Sequence, residues 1–307
     1  MSKPVIAFGD WHCNVDYALD SLDAALEMYP DAYLVHCGDF GFWDTNIFSL
    51  QYFDKVLYEG DFIEPKDPED FVGYVAALHR LLEERDSVLY VVLGNHENYW
   101  EIADLYGYAA FDLECEPFTI ETPLGEFENS MRLYCTGRDE ITGPLDEDGF
   151  ILSPFFPRIR IAPRAHAWNW DGVQYATLGG ATSIDINFRR RGSSWWEQEL
   201  PNEGEVEAFK NLTKGLNVDV MFTHDAPLSA LKDMYKVDPT SDMYEWANES
   251  AKAVEECVNV AQPKLLVCGH HHVRRSERAE CGTLVEILDR DNASHDNNRL
   301  KVEVPNV

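Results

Sequence analysis

The residues best suited to chemistry in this chain are carboxylates, imidazoles and one amide that follow short apolar runs. They are Asp10, His12, Asp39, Asn95, His96, His224, His270 and His272. The apolar runs have the composition of buried strands, and the carboxyl ends of parallel strands open at one edge of a sheet. We therefore expect these side chains to converge at that edge. Carboxylates and imidazoles together suit borderline divalent cations such as Zn²⁺, Mn²⁺ and Fe²⁺, so the pattern predicts a metal site.

The number of candidate ligands points to two cations rather than one. Together these side chains offer about seven ligands, more than one cation with an open coordination position needs. A carboxylate shared between two cations would explain the surplus, and paired cations are an arrangement used for hydrolysis. The spacing of Asp10 and His12 fits such a site if alternate residues at a strand end point the same way.

The elements that must position these residues follow from hydrophobic periodicity and turn residues. Strands are predicted at residues 5–8, 32–36, 87–93, 118–120, 131–135, 164–170, 173–178, 218–222, 264–268 and 283–288. Helices are predicted at residues 15–29, 71–84, 203–212 and 244–260. Residues 144–163 are expected to be loop, and the tail after Asp289 is expected to be frayed. The alternation of strands and helices indicates an α/β fold.

The composition is that of a globular protein with a very acidic surface. Of 307 residues, 45% are hydrophobic, and the formal net charge is −30. Such a surface repels phosphate backbones and disfavours long nucleic acid as a partner. A high-salt setting or a general acidic bias would produce the same charge.

Apolar runs, the first residues and the cysteines together predict the cellular location of the protein. No apolar run approaches the roughly 20 residues of a membrane span, and the first residues lack the regions of a signal peptide. The seven cysteines contain no Cys-x-x-Cys pair, which fits reduced thiols. We expect a cytoplasmic protein with no membrane contact.

The strand-end residues form motifs in an order that resembles the calcineurin-like metallophosphoesterases. The shared motifs are Asp10-x-His12, Gly38-Asp39, Gly94-Asn95-His96-Glu97, His224 and Gly269-His270-x-His272. They span residues 9–272, nearly the whole chain. The resemblance implies a metallophosphoesterase fold, a four-layer α/β sandwich in which two mixed β-sheets pack face to face with helices outside. It also implies an enzyme that hydrolyses phosphate esters.

The same resemblance implies a role for each motif residue. The implied ligands are Asp10, His12 and His272 for a first cation, Asn95, His224 and His270 for a second, and Asp39 as a bridge. His96 would protonate the leaving oxygen and, with Asp39, would be catalytic. Protein serine/threonine phosphatases carry an aspartate and an arginine where this chain has Phe42 and Trp43. Phosphoprotein phosphatase activity is therefore disfavoured, and the carboxylate that orients His96 must come from elsewhere.

Several further residues have two interpretations. Arg189, Arg190 and Arg191 could bind the substrate phosphate together with Asn95, or the arginines could lie in a solvated loop. The tryptophans that could stack on a base or simply pack are Trp43, Trp100, Trp195 and Trp196. The acidic residues that could support the ligands are Glu97 and Asp225. The residues expected only to pack or to space their neighbours are His36, His166, His271, Cys37 and Cys268.

These observations combine into one expected function. We expect a single domain, residues 1–307, with insertions around 42–70 and 110–165. It would use two divalent cations, Mn²⁺ first and Fe, Zn, Ni or Mg as alternatives, to hydrolyse a phosphodiester of a small, for example cyclic, nucleotide. A phosphomonoester or a nucleoside polyphosphate is the alternative substrate. A non-catalytic binding protein on the same fold is the alternative class, and the complete motif set disfavours it.

Overall fold

The structure is a computed structural model, and it describes residues 2–42, 73–106, 108–109, 112–122, 125–136, 140–141, 143–192, 194–232, 234 and 242–305. For residues 100, 104, 108–141 and 242–244 it describes the backbone only. The insertion predicted around 42–70 therefore lies outside the described residues except for Phe42, as do Trp43 and the side chain of Trp100.

The secondary structure alternates between strands and helices, as predicted. The strands are β1 (Val5–Phe8), β2 (Tyr33–Cys37), β3 (Leu89–Val92), β4 (Tyr108–Ala109), β5 (Asp112–Thr122), β6 (Gly125–Thr136), β7 (Glu140–Ile141), β8 (Ile151–Leu152), β9 (Ile159–Ile161), β10 (Ala165–Trp170), β11 (Val173–Leu178), β12 (Val220–Thr223), β13 (Leu265–Cys268), β14 (Arg275–Arg278), β15 (Leu284–Ile287) and β16 (Arg299–Val302). The helices are α1 (Val15–Met28), α2 (Tyr74–Glu84), α3 (Tyr99–Tyr106), α4 (Glu203–Thr213), α5 (Leu228–Leu231), α6 (Asp242–Ala247), α7 (Glu249–Ala261) and α8 (His295–Asn298).

Twelve of the strands form two mixed sheets of six strands each. The first has the order β16-β1-β2-β3-β9-β8 and the second the order β10-β11-β12-β13-β15-β14. In each sheet the four inner strands are parallel to one another and the two edge strands are antiparallel to their neighbours. The loops after β1, β2 and β3, and those after β12 and β13, therefore leave at the carboxyl ends of parallel strands, where open α/β sheets bind ligands.

Three apolar cores separate four layers, which confirms the predicted sandwich. Val35 and Val92 of the first sheet pack with Trp170, Phe222 and Val267 of the second, so the sheets face each other. The outer face of the first sheet packs against α1 and α2, and the outer face of the second packs against α4 and α7. None of the helices within the described residues is long and apolar enough to cross a membrane.

The helices form where sequence periodicity and capping agree. In α1 the buried residues include Ala18, Leu22 and Ala25, which recur at helical spacing on the face that meets the sheet. The Asn14 side chain caps this helix by accepting a hydrogen bond from the backbone N–H of Tyr17. The cap also fixes where the chain leaves the loop that follows β1, which carries Asp10 and His12.

Two predictions for internal segments of the chain were wrong. Residues 144–163, predicted to be loop, contain β8 and β9, which extend the first sheet beside β3. These strands are only two or three residues long, too short for a periodic signal. The helix predicted at 244–260 is divided into α6 and α7. The strands predicted at 118–120 and 131–135 are confirmed as parts of the longer β5–β6 hairpin.

The tail after Asp289 is not frayed; it completes the first sheet. Strand β16 pairs antiparallel with β1, from Val5 opposite Val302 to Phe8 opposite Arg299. Without it, β1 would be an edge strand with unpaired backbone groups. The side chain of the fully buried Asn298 donates a hydrogen bond to the backbone carbonyl of Asp10 at 3.2 Å. The tail is therefore tied to the loop after β1.

Candidate metal centre

The predicted site residues converge at the carboxyl ends of β1, β2, β3, β12 and β13. Tight packing brings these loops together, and glycines next to the polar residues permit it. A Cβ atom on Gly269 would lie 2.0 Å from Oδ1 of Asp10. Gly38 has φ +94°, and a Cβ there would lie 2.3 Å from Nδ1 of His224. Both positions exclude any larger residue, because a side chain would displace a neighbouring candidate ligand.

Asp39 lies at the centre of the site and offers its two oxygens to different neighbours. Its Oδ1 lies 3.1 Å from Nε2 of His224, and its Oδ2 lies 3.4 Å from Nε2 of His12. Two groups of potential metal ligands share this carboxylate: Asp10, His12, Asp39 and His272 in one, and Asp39, His224 and His270 in the other. Within each group the donor atoms lie within 4.8 Å of one another.

The first group is held by close contacts between side chains. Nε2 of His272 lies 3.2 Å from Oδ2 of Asp10. The rings of His12 and His272 meet edge to face, with centroids 5.0 Å apart. Asp10 is fully buried, and both of its oxygens accept the backbone N–H of His270 at 3.1 Å. Asp10 therefore connects the two groups.

Asn95 adds its amide to the second group. Its Oδ1 lies 3.0 Å from Nε2 of His224, and the rings of His224 and His270 lie 5.0 Å apart. The backbone N–H groups of Asn95 and His96 donate to Oδ1 of Asp39 at 2.8 and 2.7 Å. The loop after β3 is thus attached directly to the shared carboxylate.

Hydrogen bonds on the far side of two rings define which nitrogen faces the centre. Nδ1 of His224 lies 2.8 Å from the backbone carbonyl of Cys37, and Nδ1 of His12 lies 3.0 Å from Oδ1 of Asp291. Both partners are acceptors, so Nδ1 carries a proton in each ring. Nε2 is therefore the nitrogen that faces Asp39, and it would bind a cation once its own proton is lost. A histidine ligand with its other nitrogen bonded to a carbonyl or carboxylate is the usual arrangement around metals.

The electrostatics of the centre favour positive charge. Burial alone would raise the pKa of Asp39, but the charge of the adjacent His224 and the hydrogen bond with His12 hold it well below its usual value. Burial would lower the pKa of His12, but hydrogen bonds with Asp291 and Asp39 raise it to about 10. The pKa of His224 is likewise raised to about 9, chiefly by Asp39 acting against burial. Cations would have to displace these protons, since an imidazole binds metal in its neutral form.

The donor set fits a pair of divalent cations. Two buried carboxylates, four imidazoles and one amide oxygen meet here, the mixture of oxygen and nitrogen donors that borderline cations prefer. A buried carboxylate needs a compensating partner, and Asp39 faces imidazole nitrogens from both groups. We therefore treat the two groups that share Asp39 as the candidate dinuclear site.

The backbone around the site differs from the extended strand end that we expected. His12, Asp39, His270 and His272 all have positive φ, between 46° and 68°. The Asp10-x-His12 pair is therefore not an alternation along a strand, because His12 adopts the left-handed region. Such conformations are unfavourable for residues with a Cβ and cluster at functional sites, where surrounding contacts enforce them.

His96, the predicted acid, lies beside the first group and contacts an arginine. Its ring lies 5.4 Å from that of His12, and Nη2 of Arg189 lies 2.6 Å from its Nε2. Burial is the main cause that holds the pKa of His96 well below 6.5, and Arg189 lowers it further. Arg189 also donates to the backbone carbonyl of Asn95 at 3.2 Å. Two acidic residues hold it, Asp185 at 2.8 Å and the buried Glu199 at 3.4 Å.

The other two arginines of the run are not brought to the site. Arg190 is exposed, and Arg191 forms an exposed ion pair with Glu197 at 2.6 Å. Of the predicted base-stacking tryptophans, Trp196 is buried in the core of the first sheet, so packing is its observed environment. Trp195 is only partly exposed.

Glu97 and Asp225 support loops rather than ligand side chains. Glu97 is fully buried and accepts the backbone N–H groups of Phe40, Gly41, Phe42 and Gly94. Burial raises its pKa to about 7, against those hydrogen bonds. Asp225 lies 2.8 Å from Nε2 of His271, so His271 is more than a spacer: it connects the loops after β12 and β13. Both carboxylates fix the loops that carry the predicted ligands.

Contributors to the site that were missed in the sequence include Asp291, Ser183 and Glu199. Asp291 lies in the tail that we expected to be frayed, and no motif marks it. Ser183 and Glu199 flank the arginine run, where the sequence offered no sign that the segment folds back onto the loop after β3. Cys37 and Cys268 are fully buried, as predicted.

The chain is similar to known proteins over nearly its whole length. The family model for calcineurin-like phosphoesterases matches residues 3–274. No curated protein matches the chain in sequence. Similar solved structures include phosphopantetheinyl hydrolase (PptH) from Mycobacterium tuberculosis, with 13% identity, coverage of 98% of this chain and 96% of that one, and a TM-score of 0.47. The protein TT1561 of Thermus thermophilus has 11% identity, coverage of 94% of this chain and 90% of that one, and a TM-score of 0.47.

A further solved structure is the calcineurin-like phosphoesterase YfkN from Bacillus subtilis, with 13% identity, coverage of 94% of this chain and 81% of that one, and a TM-score of 0.41. The family uses a dinuclear site of divalent cations, for which the two groups sharing Asp39 are the candidates. Because the family model spans nearly the whole chain, this protein belongs to the calcineurin-like phosphoesterases and is a hydrolase of phosphoric ester bonds.

Proposed function

We propose that this protein is a dinuclear-metal phosphodiesterase that acts on small nucleotides, including cyclic ones. The observation that carries the proposal is the position of Asp39, whose two oxygens face imidazoles of different ligand groups. Asp10, His12 and His272 would hold one cation, Asn95, His224 and His270 the other, and Asp39 would bridge them. Mn²⁺ is our first choice, because the donors are mixed nitrogen and oxygen.

The chain's own residues supply the remaining chemistry of hydrolysis. The chemistry that a pair of divalent cations would supply here is positive charge for the phosphoryl oxygens and a lowered pKa for the attacking water. His96 lies beside the ligands and would donate a proton to the leaving oxygen. In the free protein, burial and Arg189 keep His96 neutral by lowering its pKa. An anionic phosphoryl group would offset the charge of Arg189 and so favour protonation of His96 as the substrate binds.

The number of cationic side chains supports a diester over a monoester. Of the three consecutive arginines, Arg189 contacts His96 and the Asn95 backbone, while Arg190 and Arg191 are exposed. Arg189 is itself already paired with Asp185 and Glu199. A diester monoanion needs less compensating charge than a monoester dianion, particularly on a surface of net charge −30.

An exposed aromatic ring next to this arginine supports a nucleotide substrate. Phe188 is 92% exposed and immediately precedes Arg189 in the chain. Aromatic rings stack on nucleobases with little dependence on base identity. We expect Phe188→Ala to raise KM for a cyclic nucleotide several-fold. Phe155→Ala is the matched control, because Phe155 is 65% exposed and precedes β9, whose start lies at the opposite edge of the sheet.

The test compares kcat/KM for four substrates at equal Mn²⁺ and moderate salt. They are bis-nitrophenyl phosphate, nitrophenyl phosphate, a 2′,3′- or 3′,5′-cyclic mononucleotide and a long oligonucleotide. The proposal predicts that both small diesters are cleaved faster than the monoester, and that the long oligonucleotide is degraded poorly. A clear preference for the monoester would make the protein a phosphomonoesterase. A preference for the oligonucleotide would make it a nuclease.

A further inference from the structure

The amide of Asn95 can face the second ligand group with either its oxygen or its NH₂ group. Only the first orientation can bind a cation. Its oxygen can bind a divalent cation, whereas its NH₂ group carries two hydrogens and no available lone pair. The inference rests on the proposed role of Asn95 as a ligand. Asn95 is buried, and its Oδ1 faces His224 at 3.0 Å, on the side of the second ligand group.

The opposite end of the amide contacts a buried hydroxyl. Nδ2 of Asn95 donates to Oγ of Ser183 at 3.0 Å. Ser183 is 1% exposed and in turn donates its hydroxyl hydrogen to Oε2 of Glu199. Since a hydroxyl has one hydrogen, this bond leaves Ser183 only as an acceptor toward Asn95. An acceptor at that position requires the NH₂ group of Asn95 to face it.

Glu199 is arranged to accept hydrogen bonds. Its Oε1 accepts the backbone N–H of Trp196 at 3.1 Å and Nη1 of Arg189 at 3.4 Å. Burial raises the pKa of Glu199 to about 8, with Arg189 lowering it in part. Divalent cations bound at the neighbouring ligands would oppose this effect of burial and favour the ionised carboxylate, which is the form that accepts the hydrogen bond of Ser183.

We propose that Glu199 and Ser183 are positioning residues that fix the Asn95 amide with its oxygen toward the second cation. The direction is transmitted by three groups in series: a carboxylate that accepts, a hydroxyl that donates to it, and an amide whose NH₂ group meets the hydroxyl oxygen. Through Arg189, Glu199 also holds the guanidinium that contacts His96. One buried carboxylate thereby supports both a predicted ligand and the predicted acid.

The first experiment measures the two dissociation constants for Mn²⁺ by calorimetry in wild type, Ser183→Ala and Thr213→Ala. Outer-sphere partners of metal ligands change affinity by about 10–100-fold. We expect Ser183→Ala to weaken the second cation by about tenfold or more and to leave the first unchanged. Thr213→Ala removes another buried hydroxyl, bonded to the Phe209 carbonyl of its own helix, and should leave both constants unchanged.

A double-mutant cycle with Asn95→Asp separates orientation from general damage. A carboxylate presents an oxygen whichever way it turns, so orientation no longer matters when position 95 is aspartate. In that background Ser183→Ala should weaken the second cation by less than about threefold, far less than with Asn95 present. A loss of equal size in both backgrounds would mean that Ser183 acts through packing, and would overturn the proposal.

Glu199→Gln provides an independent variant of nearly the same shape. Its NH₂ group can turn toward Ser183 and reverse the direction of the series, so the second cation should weaken here too. At saturating Mn²⁺ its kcat should also be lower than that of Ser183→Ala, because the negative charge that pairs with Arg189 is lost. A wild-type chain that binds two cations and hydrolyses diesters, with Ser183→Ala and Glu199→Gln unchanged, would refute the positioning role alone. A wild-type chain that never binds a second cation would refute the proposed function and this inference together.

Discussion

Arg189 and His96 are in direct contact, with Nη2 of the guanidinium 2.6 Å from Nε2 and 2.7 Å from Nδ1 of the ring. Burial lowers the pKa of His96, and the positive charge of Arg189 lowers it further, so both disfavour protonation of the ring. The sequence has Phe42 where protein serine/threonine phosphatases carry the aspartate expected to orient this histidine. Here carboxylates act one step away, since Asp185 and Glu199 hold Arg189.

His96→Ala should lower kcat for esters with poor leaving groups by roughly a hundredfold or more, the usual scale for a lost general acid. Both cations should remain bound, because His96 is not among the predicted ligands. The loss should shrink for bis-nitrophenyl phosphate, whose leaving group needs little protonation. The measurement is kcat for good and poor leaving groups alongside metal content. Equal losses for both substrates would remove the acid role, and loss of a cation would move His96 into the ligand set.

Arg189→Ala should lower kcat/KM for small diesters by about 10–100-fold, the range expected for a buried hydrogen bond to a charged group. Arg191→Ala is the matched control, since Arg191 is exposed and pairs with an exposed glutamate. That variant should stay within about twofold of wild type, as exposed ion pairs contribute little. Steady-state kinetics on bis-nitrophenyl phosphate decide the point. Equal impairment of the two variants would mean that the three arginines act through long-range electrostatic attraction. The specific contact of Arg189 with His96 would then not matter for activity.

Asp291→Ala should weaken the first cation by about 10–100-fold, because it removes the carboxylate that orients His12. Asp291 also accepts the side-chain NH₂ of Asn14 at 2.9 Å, so the variant loosens the start of α1 as well. Asp296→Ala, in the same tail but with a side chain that is 96% exposed, is the control and should bind both cations normally. Calorimetric titration with Mn²⁺ measures both constants. Unchanged binding of the first cation in Asp291→Ala would show that His12 needs no such partner.

His36→Leu should make stability less sensitive to acid. His36 is fully buried, neither ring nitrogen has a hydrogen-bond partner among the described residues, and burial lowers its pKa from 6.5 to about 3. Between those values only the unfolded chain binds the proton, so the contribution of His36 is complete above pH 6.5 and is lost as the pH falls toward 3. Between these two pKa values, His36 changes the free energy of unfolding by about 1.4 kcal/mol per pH unit.

Urea unfolding of wild type and His36→Leu at pH 7.5, 6, 5 and 4.5 measures this effect. The difference in the free energy of unfolding between the two proteins should move in favour of the variant as the pH falls. Titration of the other histidines cancels in that difference. A difference that stays constant with pH would mean that His36 is protonated, or hydrated, in the folded state.

Much of the site could be predicted from the sequence, because its ligands follow strong apolar strands. An apolar run followed by Gly-Asp or Gly-Asn-His predicts both where the strand ends and that a polar side chain lies at the sheet edge. Asp39 and Asn95 are examples. The order of the motifs along the chain then predicted the metallophosphoesterase fold. Asp291 could not be found in this way, since it lies far from His12 in the sequence, in the segment that leads to β16, the antiparallel partner of β1.

The backbone of the site was equally hidden from pattern reasoning. His12 and His270 have positive φ values, which residues with a Cβ adopt uncommonly and which no periodic pattern in the sequence predicts. The arginine run illustrates the same limit. The consecutive arginines have different environments. After the turn at residues 186–188, the side chain of Arg189 is partly buried, whereas Arg190 is exposed.

The dinuclear centre itself is tested most directly by metal stoichiometry measured together with activity. The purified chain is stripped, reloaded with Mn²⁺, freed of excess metal and analysed for bound manganese and for turnover of bis-nitrophenyl phosphate. The account predicts two ions per chain in the active wild type. Asp39→Ala should suffer the largest losses of both metal and activity, because Asp39 is the carboxylate shared by the two groups. A fully active chain whose stoichiometry never exceeds one ion would contradict the account.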